Sequence, residues 1–252
     1  LLPENFMNSS KKLIYIANLR LPTEKAYGIQ ITKTCEAFAL QNLEVTLAYP
    51  FRKNRIKDDI FSYYSLKHDF KIKEIWAPDF YWPGWLDRVA VNIKGVISAL
   101  LLCFYAINHK ADIIYSRDEW PLYFLSFFKN NLFFEAHRFS KHRKFFYKRF
   151  KNKNFKIIVI TKRLKDDFIK IGFKEEKILV APDGVDLVEF DVGISKEEAR
   201  NKVDLPLDKK IIMYTGHLFE WKGASALLEV ARNFQFSIFN FQRKEEKPLF
   251  VF

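Results

Sequence analysis

The chain has 252 residues, 49% apolar and 29% charged, enough to bury a core without disulfides or structural metal and too apolar for global disorder. Aromatic residues reach 17%, with 27 Phe, while Gly numbers only 8, which excludes collagen-like, low-complexity and linker-dominated chains. Lys and Arg outnumber Asp and Glu by 42 to 30, a net charge of +12 that favours anionic partners such as phosphorylated substrates, lipid headgroups or nucleic acid without choosing among them.

Residues 1–10 lack the charged start and apolar run of a secretory signal, and Met7, followed by Asn-Ser-Ser-Lys-Lys, reads as a natural start. An apolar run at 13–17 predicts a strand, and 29–41 predicts a helix. Further strand candidates are 44–48, 72–75, 113–115, 132–135, 157–160 and 178–181. Short β-branched or aromatic runs alternating with helical patterns indicate an open α/β sheet whose strands are buried on both faces. Such sheets collect ligands at the carboxyl ends of their strands. That rule singles out Arg117 and Asp118 after 113–115, and Glu135 and His137 in the segment FFEAHRFS.

Residues 89–107 read VAVNIKGVISALLLCFYAI, and the uninterrupted apolar part after Lys94 is about 13 residues, short of the roughly 18 needed to span a membrane. Leu86, Val89, Ala90, Ile93, Val96, Ile97, Leu100 and Leu101 fall at steps of three and four, with Asp87, Arg88, Asn92 and Lys94 off the stripe. The expectation is a helix burying that stripe in the core. Cys35 and Cys103 sit in apolar helical patterns without the paired spacing of a zinc or redox site, so no metal and a cytoplasmic setting are expected.

Residues 141–156 (KHRKFFYKRFKNKNFK) carry eight Lys or Arg among sixteen residues, interleaved with Phe145, Phe146, Tyr147, Phe150 and Phe155. Three readings stay open: a helix with aromatics in the core and lysines solvated, a docking surface for an anionic membrane, or a nucleic-acid contact, the last least favoured.

After the strand ending at Pro182, Asp183-Gly184-Val185-Asp186 predicts a tight turn in which Gly184 takes positive φ. A charged, turn-rich stretch follows, with a helical run at 196–203. A new strand at 210–214 then runs into Gly216, Lys222 and Gly223 and a helix at 224–233. Gly216 would let backbone approach a ligand, and the helix start near Gly223 offers free N–H groups to phosphate, with Lys222 adding a full charge. The spacing is neither that of a Walker loop nor that of a GxGxxG fingerprint.

Taken together, Pro182 to Phe190 (PDGVDLVEF) and Tyr214 to Gly223 (YTGHLFEWKG) resemble the paired motifs of family 4 glycosyltransferases of the GT-B fold. The segments IYIANLRLPTEKAYGIQ and IIVITKRLKDDFIKIGF resemble the same family, and the likeness covers residues 11–233. It implies a Rossmann-like N-terminal domain at 1–187 on the acceptor side, a connector at 188–208, and at 209–252 the start of a nucleotide-sugar-binding domain cut short. The implied activity is metal-independent, retaining sugar transfer from a UDP- or GDP-linked donor to a glycan or lipid-linked acceptor, with no cofactor beyond that donor.

By the same resemblance, Gly28, Gly216, His217, Lys222 and Gly223 would hold the donor diphosphate, with His217 where the family most often has arginine. His137 would face the reacting sugar, Glu135, Arg117 and Asp118 would serve the acceptor, and Asp183, Gly184 and Asp186 would form the hinge. Only Gly28 stands where the family's first loop commonly has paired glycines. The family's downstream pair of glutamates has no counterpart, since Glu245 and Glu246 are adjacent. The location implied is cytoplasmic, at the inner face of a membrane. The competing class is a noncatalytic basic protein that docks on anionic membrane or nucleic acid.

Overall fold

Runs of β-branched and aromatic residues form seven strands of one parallel sheet, in the order β3-β2-β1-β4-β5-β6-β7. The computed structural model describes residues 10–153, 155–216, 218–237 and 248–252. Two compact units are present, Leu1–Gly184 and Val185–Phe252.

The first unit runs β1 (Lys12–Ile16), α1 (Ala26–Leu40), β2 (Glu44–Pro50), α2 (Ile60–Tyr63), β3 (Lys71–Ile75), α3 (Leu86–Asn108) and β4 (Ile113–Ser116). It continues through α4 (Glu119–Leu125), β5 (Leu132–Ala136), α5 (Lys144–Asn152), β6 (Lys156–Val159), α6 (Lys162–Lys170) and β7 (Ile178–Val180). Because β1 pairs with both β2 and β4, the strand order reverses there, and the crossover helices leave on opposite faces on either side of that point. One apolar cluster accordingly joins Ile31 and Cys35 of α1 to Tyr15, Leu47 and Tyr115. The other joins Leu102, Leu122, Phe146, Phe150 and Phe168, from α3 to α6, to Ile14 and Phe134 on the other face of the sheet. The edge strand β3 exposes Lys71, Lys73 and Glu74, charges that oppose pairing with a further strand.

Helix α3 corrects the expected orientation. The period of the apolar stripe is as read, but Leu86, Val89, Ile93 and Leu100 face outward, 38%, 40%, 39% and 47% exposed. Of the expected stripe, Ala90 is buried and Val96, Ile97 and Leu101 are half-buried, and the rest of the sheet side is lined by Lys94, Ser98, Ala99, Leu102, Cys103 and Ala106. Small side chains let the helix axis approach the sheet closely, and the two polar ones have dedicated partners. Lys94 Nζ lies 3.1 Å from Asp79 Oδ1 and 3.5 Å above the Tyr81 ring. Ser98 Oγ donates to Asn18 Oδ1 at 2.7 Å and accepts from Arg52 at 2.9 Å.

In α5, Phe146, Tyr147 and Phe150 are buried, with Phe155 beyond the helix, while Phe145 stays half exposed. The aromatic component of the basic segment therefore builds core, and its lysines form the outer rim.

The second unit contains α7 (Leu187–Phe190), α8 (Lys196–Lys202), β8 (Ile211–Met213), α9 (Ala224–Ser237) and β9 (Leu249–Val251), with β8 and β9 paired in parallel. Residues 188–208, read as a connector, fall within this unit. Helix α8 is held by a capping box in which Ser195 Oγ accepts the Glu198 N–H and Glu198 accepts the Ser195 N–H. Positive φ occurs at Gly216 and Gly223 but not at Gly184, so the expected left-handed turn there is not formed. Asp186 instead caps α7, accepting the N–H groups of Val188 and Glu189.

Candidate functional site

Parallel pairing sets Tyr15 opposite Tyr115 on neighbouring strands and Tyr115 opposite Phe133 on the next. Because side chains alternate across a sheet, Glu135, two residues beyond Phe133, points to the same face. Both tyrosines converge on its carboxylate: Tyr15 Oη donates to Glu135 Oε2 at 3.5 Å, and Tyr115 hydrogen-bonds to it as well. Burial pushes the Glu135 carboxyl up, yet the hydrogen bonds from His137 and Tyr115 and the Arg117 charge outweigh it, and the group is held below the ordinary glutamate value. Burial beside that carboxylate drives both tyrosine hydroxyls well above theirs, so they remain hydrogen-bond donors.

Around Glu135 the carboxyl ends of three strands and one helix close a ring of polar side chains. His137, just past β5, places Nε2 2.5 Å from Glu135 Oε1, and its Nδ1 lies 3.8 Å from Asp183 Oδ2, after β7. Asp183 Oδ1 accepts from the Gln30 amide of α1. Gln30 Oε1 accepts from Arg117 Nη1 at 2.7 Å, and Arg117 Nε, just past β4, returns to Glu135 Oε1 at 4.0 Å. Besides the imidazole, the ring holds two carboxylates and one guanidinium. Asp183 is its most open member, with its side chain 48% exposed, and His137 and Arg117 are part-exposed at 19% and 18% against 7% for Glu135.

Ligand atoms of Glu135, His137 and Asp183 all lie within 4.8 Å of one another, so geometry alone would admit a divalent cation. Arg117 Nε, 4.0 Å from Glu135 Oε1, supplies positive charge to the same cluster.

Of the other first-unit residues, Asp118 is turned inward: its Oδ2 accepts the Asn18 N–H at 2.7 Å and so ties the β1–α1 loop to the end of β4. Burial raises its carboxyl to about 6. Gly28 lies inside the first turn of α1 rather than in an open loop. A Cβ there would stand 2.1 Å from Tyr64 Oη and 2.6 Å from Thr23 Cγ2. The Tyr64 hydroxyl in turn accepts from the Thr23 N–H at 2.7 Å and donates to the Thr23 carbonyl at 2.8 Å. Gly28 is thus required by packing that shapes the loop. Gln30, Tyr15 and Tyr115 are the site residues missed in sequence. The paired tyrosines were legible in principle from strand register, whereas Gln30 carried no local signal.

In the second unit, Gly216 follows β8 with φ +137°, and Lys222 Nζ lies 3.7 Å from where its Cβ would be. Gly223, at φ +78°, then opens α9. An exposed ammonium over bare backbone beside a helix start is an arrangement suited to phosphate. His217 lies outside the described residues, as do Glu245 and Glu246.

The chain is similar in fold to several solved structures. A glycosyltransferase from Rickettsia africae gives a TM-score of 0.58 at 14% identity, covering 90% of this chain and 58% of that one. HepE from Anabaena, in complex with UDP and glucose, gives 0.58 at 15%, covering 88% and 58%. The N-terminal domain of Candida albicans trehalose-6-phosphate phosphatase gives 0.63 at 13%, covering 97% and 64%. No protein-family model matches the chain, and no curated protein sequence does. The chain spans less than two thirds of the length of these structures. At such identities the likeness establishes architecture: an α/β, Rossmann-like fold of the GT-B glycosyltransferase type.

Proposed function

We propose that the chain forms the acceptor-side domain and the opening of the nucleotide-binding half of a glycosyltransferase that moves a sugar from a UDP- or GDP-linked donor to a glycan or lipid-linked acceptor. The observation that carries the reading is the Glu135–His137–Asp183–Gln30–Arg117 ring at the carboxyl edge of a GT-B type sheet. Its open members can hydrogen-bond a sugar, and its buried carboxylate fixes the histidine that would do so. Anabaena HepE, of the same architecture, has been solved with UDP and glucose, which supports a nucleotide sugar as the ligand.

In this reading His137 donates to a hydroxyl of the transferred sugar or the acceptor. Glu135 orients the imidazole through its hydrogen bond to Nε2. Lys222 and the α9 start stabilise the departing diphosphate electrostatically, the work a metal ion would otherwise do. Transfer then proceeds with retention, and Arg117 and Asp183 position the acceptor. The test is nucleoside diphosphate release from a panel of UDP- and GDP-sugars. Release by the parent chain that His137→Ala lowers by about 10- to 100-fold, the worth of one hydrogen bond to a charged group, supports the reading; release unaffected by His137→Ala contradicts it.

A further inference from the structure

The outward stripe of α3 has no partner within the described residues. Leu86, Val89, Ile93, Leu100 and Phe104 repeat at helical steps along the 23-residue helix, with Phe104 69% exposed, so the stripe runs about 27 Å along the helix. At its start the loop after β3 displays Trp76 and Trp85, 75% and 77% exposed. This loop is fastened rather than free: Lys94 holds Asp79, the Phe80 carbonyl and the Tyr81 ring. Large aromatic side chains are thus held in water by a buried ion pair.

Charge on the same layer points to the partner. Helices α3, α4 and α5 cover one face of the sheet, and Trp120 and Tyr123 of α4 bridge to Phe145 of α5 by ring contacts. Lys141, Lys144 and Lys148 are exposed there, and residues 136–165 contain no Asp or Glu. An apolar stripe with tryptophans at one end and a rim of lysines matches the boundary of a bilayer, where aromatic rings sit at headgroup level and lysines meet anionic lipid. A protein partner would leave that uncompensated rim without acidic groups unless it supplied them.

We propose that the outer face of α3, α4 and α5 docks in the plane of an anionic lipid bilayer. Helix α3 lies along the surface rather than across it, because its opposite face carries Leu102, Cys103 and Ala106 into the core. The site moves the expected membrane contact from the aromatics of the basic segment, which are mostly buried, to α3 and its preceding loop, with the lysines of α5 supplying the charge. It stands apart from the sugar-transfer reading, which vesicle binding does not probe.

The test is cosedimentation of the 252-residue chain with sucrose-loaded vesicles of phosphatidylcholine alone or mixed with phosphatidylglycerol. Binding should require phosphatidylglycerol. Trp85→Ala with Phe104→Ser, and separately Lys141→Glu with Lys144→Glu and Lys148→Glu, should each lower partitioning by about tenfold or more. All these positions are exposed, so the fold is retained, which circular dichroism checks. Absence of binding to the mixed vesicles, or equal binding by both variants, overturns the proposal. So does sedimentation equilibrium showing a dimer that Phe104→Ser dissolves, which would assign the stripe to a second copy.

Discussion

His137 Nε2 stands 2.5 Å from Glu135 Oε1, and that carboxylate is also the acceptor of Tyr15 and Tyr115 and the neighbour of Arg117. One buried acceptor therefore aligns the donors of three strands. Replacing it by Gln keeps the shape and removes the charge. Glu135→Gln should fold, and should lower sugar transfer by about 10- to 100-fold as His137 loses the charged hydrogen-bond partner that orients its ring. Glu135→Leu leaves the two buried tyrosine hydroxyls without their carboxylate acceptor and should cost about 1–3 kcal/mol more in urea unfolding than Glu135→Gln.

The Asp118 carboxyl gives a pH dependence of defined sign. Its folded value, raised by burial to about 6 from 3.8, means that the folded state binds the proton more tightly than the unfolded chain. Its contribution to stability is present at low pH and is lost as pH rises through that window. Urea midpoints measured from about pH 4 to about pH 7 should therefore show a downward component that Asp118→Asn removes, since the amide oxygen still accepts the Asn18 N–H.

Gly28 and Tyr64 form a coupled pair. Gly28→Ala drives a Cβ into the Tyr64 hydroxyl and should destabilise by about 1–3 kcal/mol, the usual cost of overpacking. In a Tyr64→Phe background the clash is partly relieved, so the same substitution should cost measurably less. A double-mutant cycle from thermal or urea unfolding measures that coupling.

Lys94 is buried with Asp79, their side chains 8% and 3% exposed. Burial pushes the Asp79 carboxyl up, and the Lys53 N–H and the Lys94 ammonium more than reverse it, holding the group below the ordinary aspartate value. Lys94→Met leaves the buried Asp79 carboxylate without its ion-pair partner, which should cost about 3–5 kcal/mol. The Lys94→Met, Asp79→Asn pair should recover part of the loss.

The strands of the first unit were legible because each is a short apolar run with a polar or turn-forming break at its ends, and burial on both faces leaves little else such a run can form. Orientation of α3 was not legible. Both of its faces are apolar enough to bury, and the choice was settled by Arg52, Asp79 and Asn18, distant residues that satisfy Lys94 and Ser98 on the sheet side. In the site, Glu135 and His137 followed from their place after a strand. Gln30 did not, because its role depends on α1 folding back over the ends of β4 and β7. Asp118 stands where the sequence placed it, just after β4, whereas Gly28 lies in the first turn of α1 instead of the loop, and the described contacts of both are to the protein's own loops.

Isothermal titration of UDP and of GDP into the chain and its Lys222→Ala variant tests nucleotide-sugar binding most directly. Saturable heat with one nucleotide, weakened by about tenfold or more in Lys222→Ala, is the predicted result. Absence of heat with either nucleotide, or an affinity that the variant leaves unchanged, would contradict it.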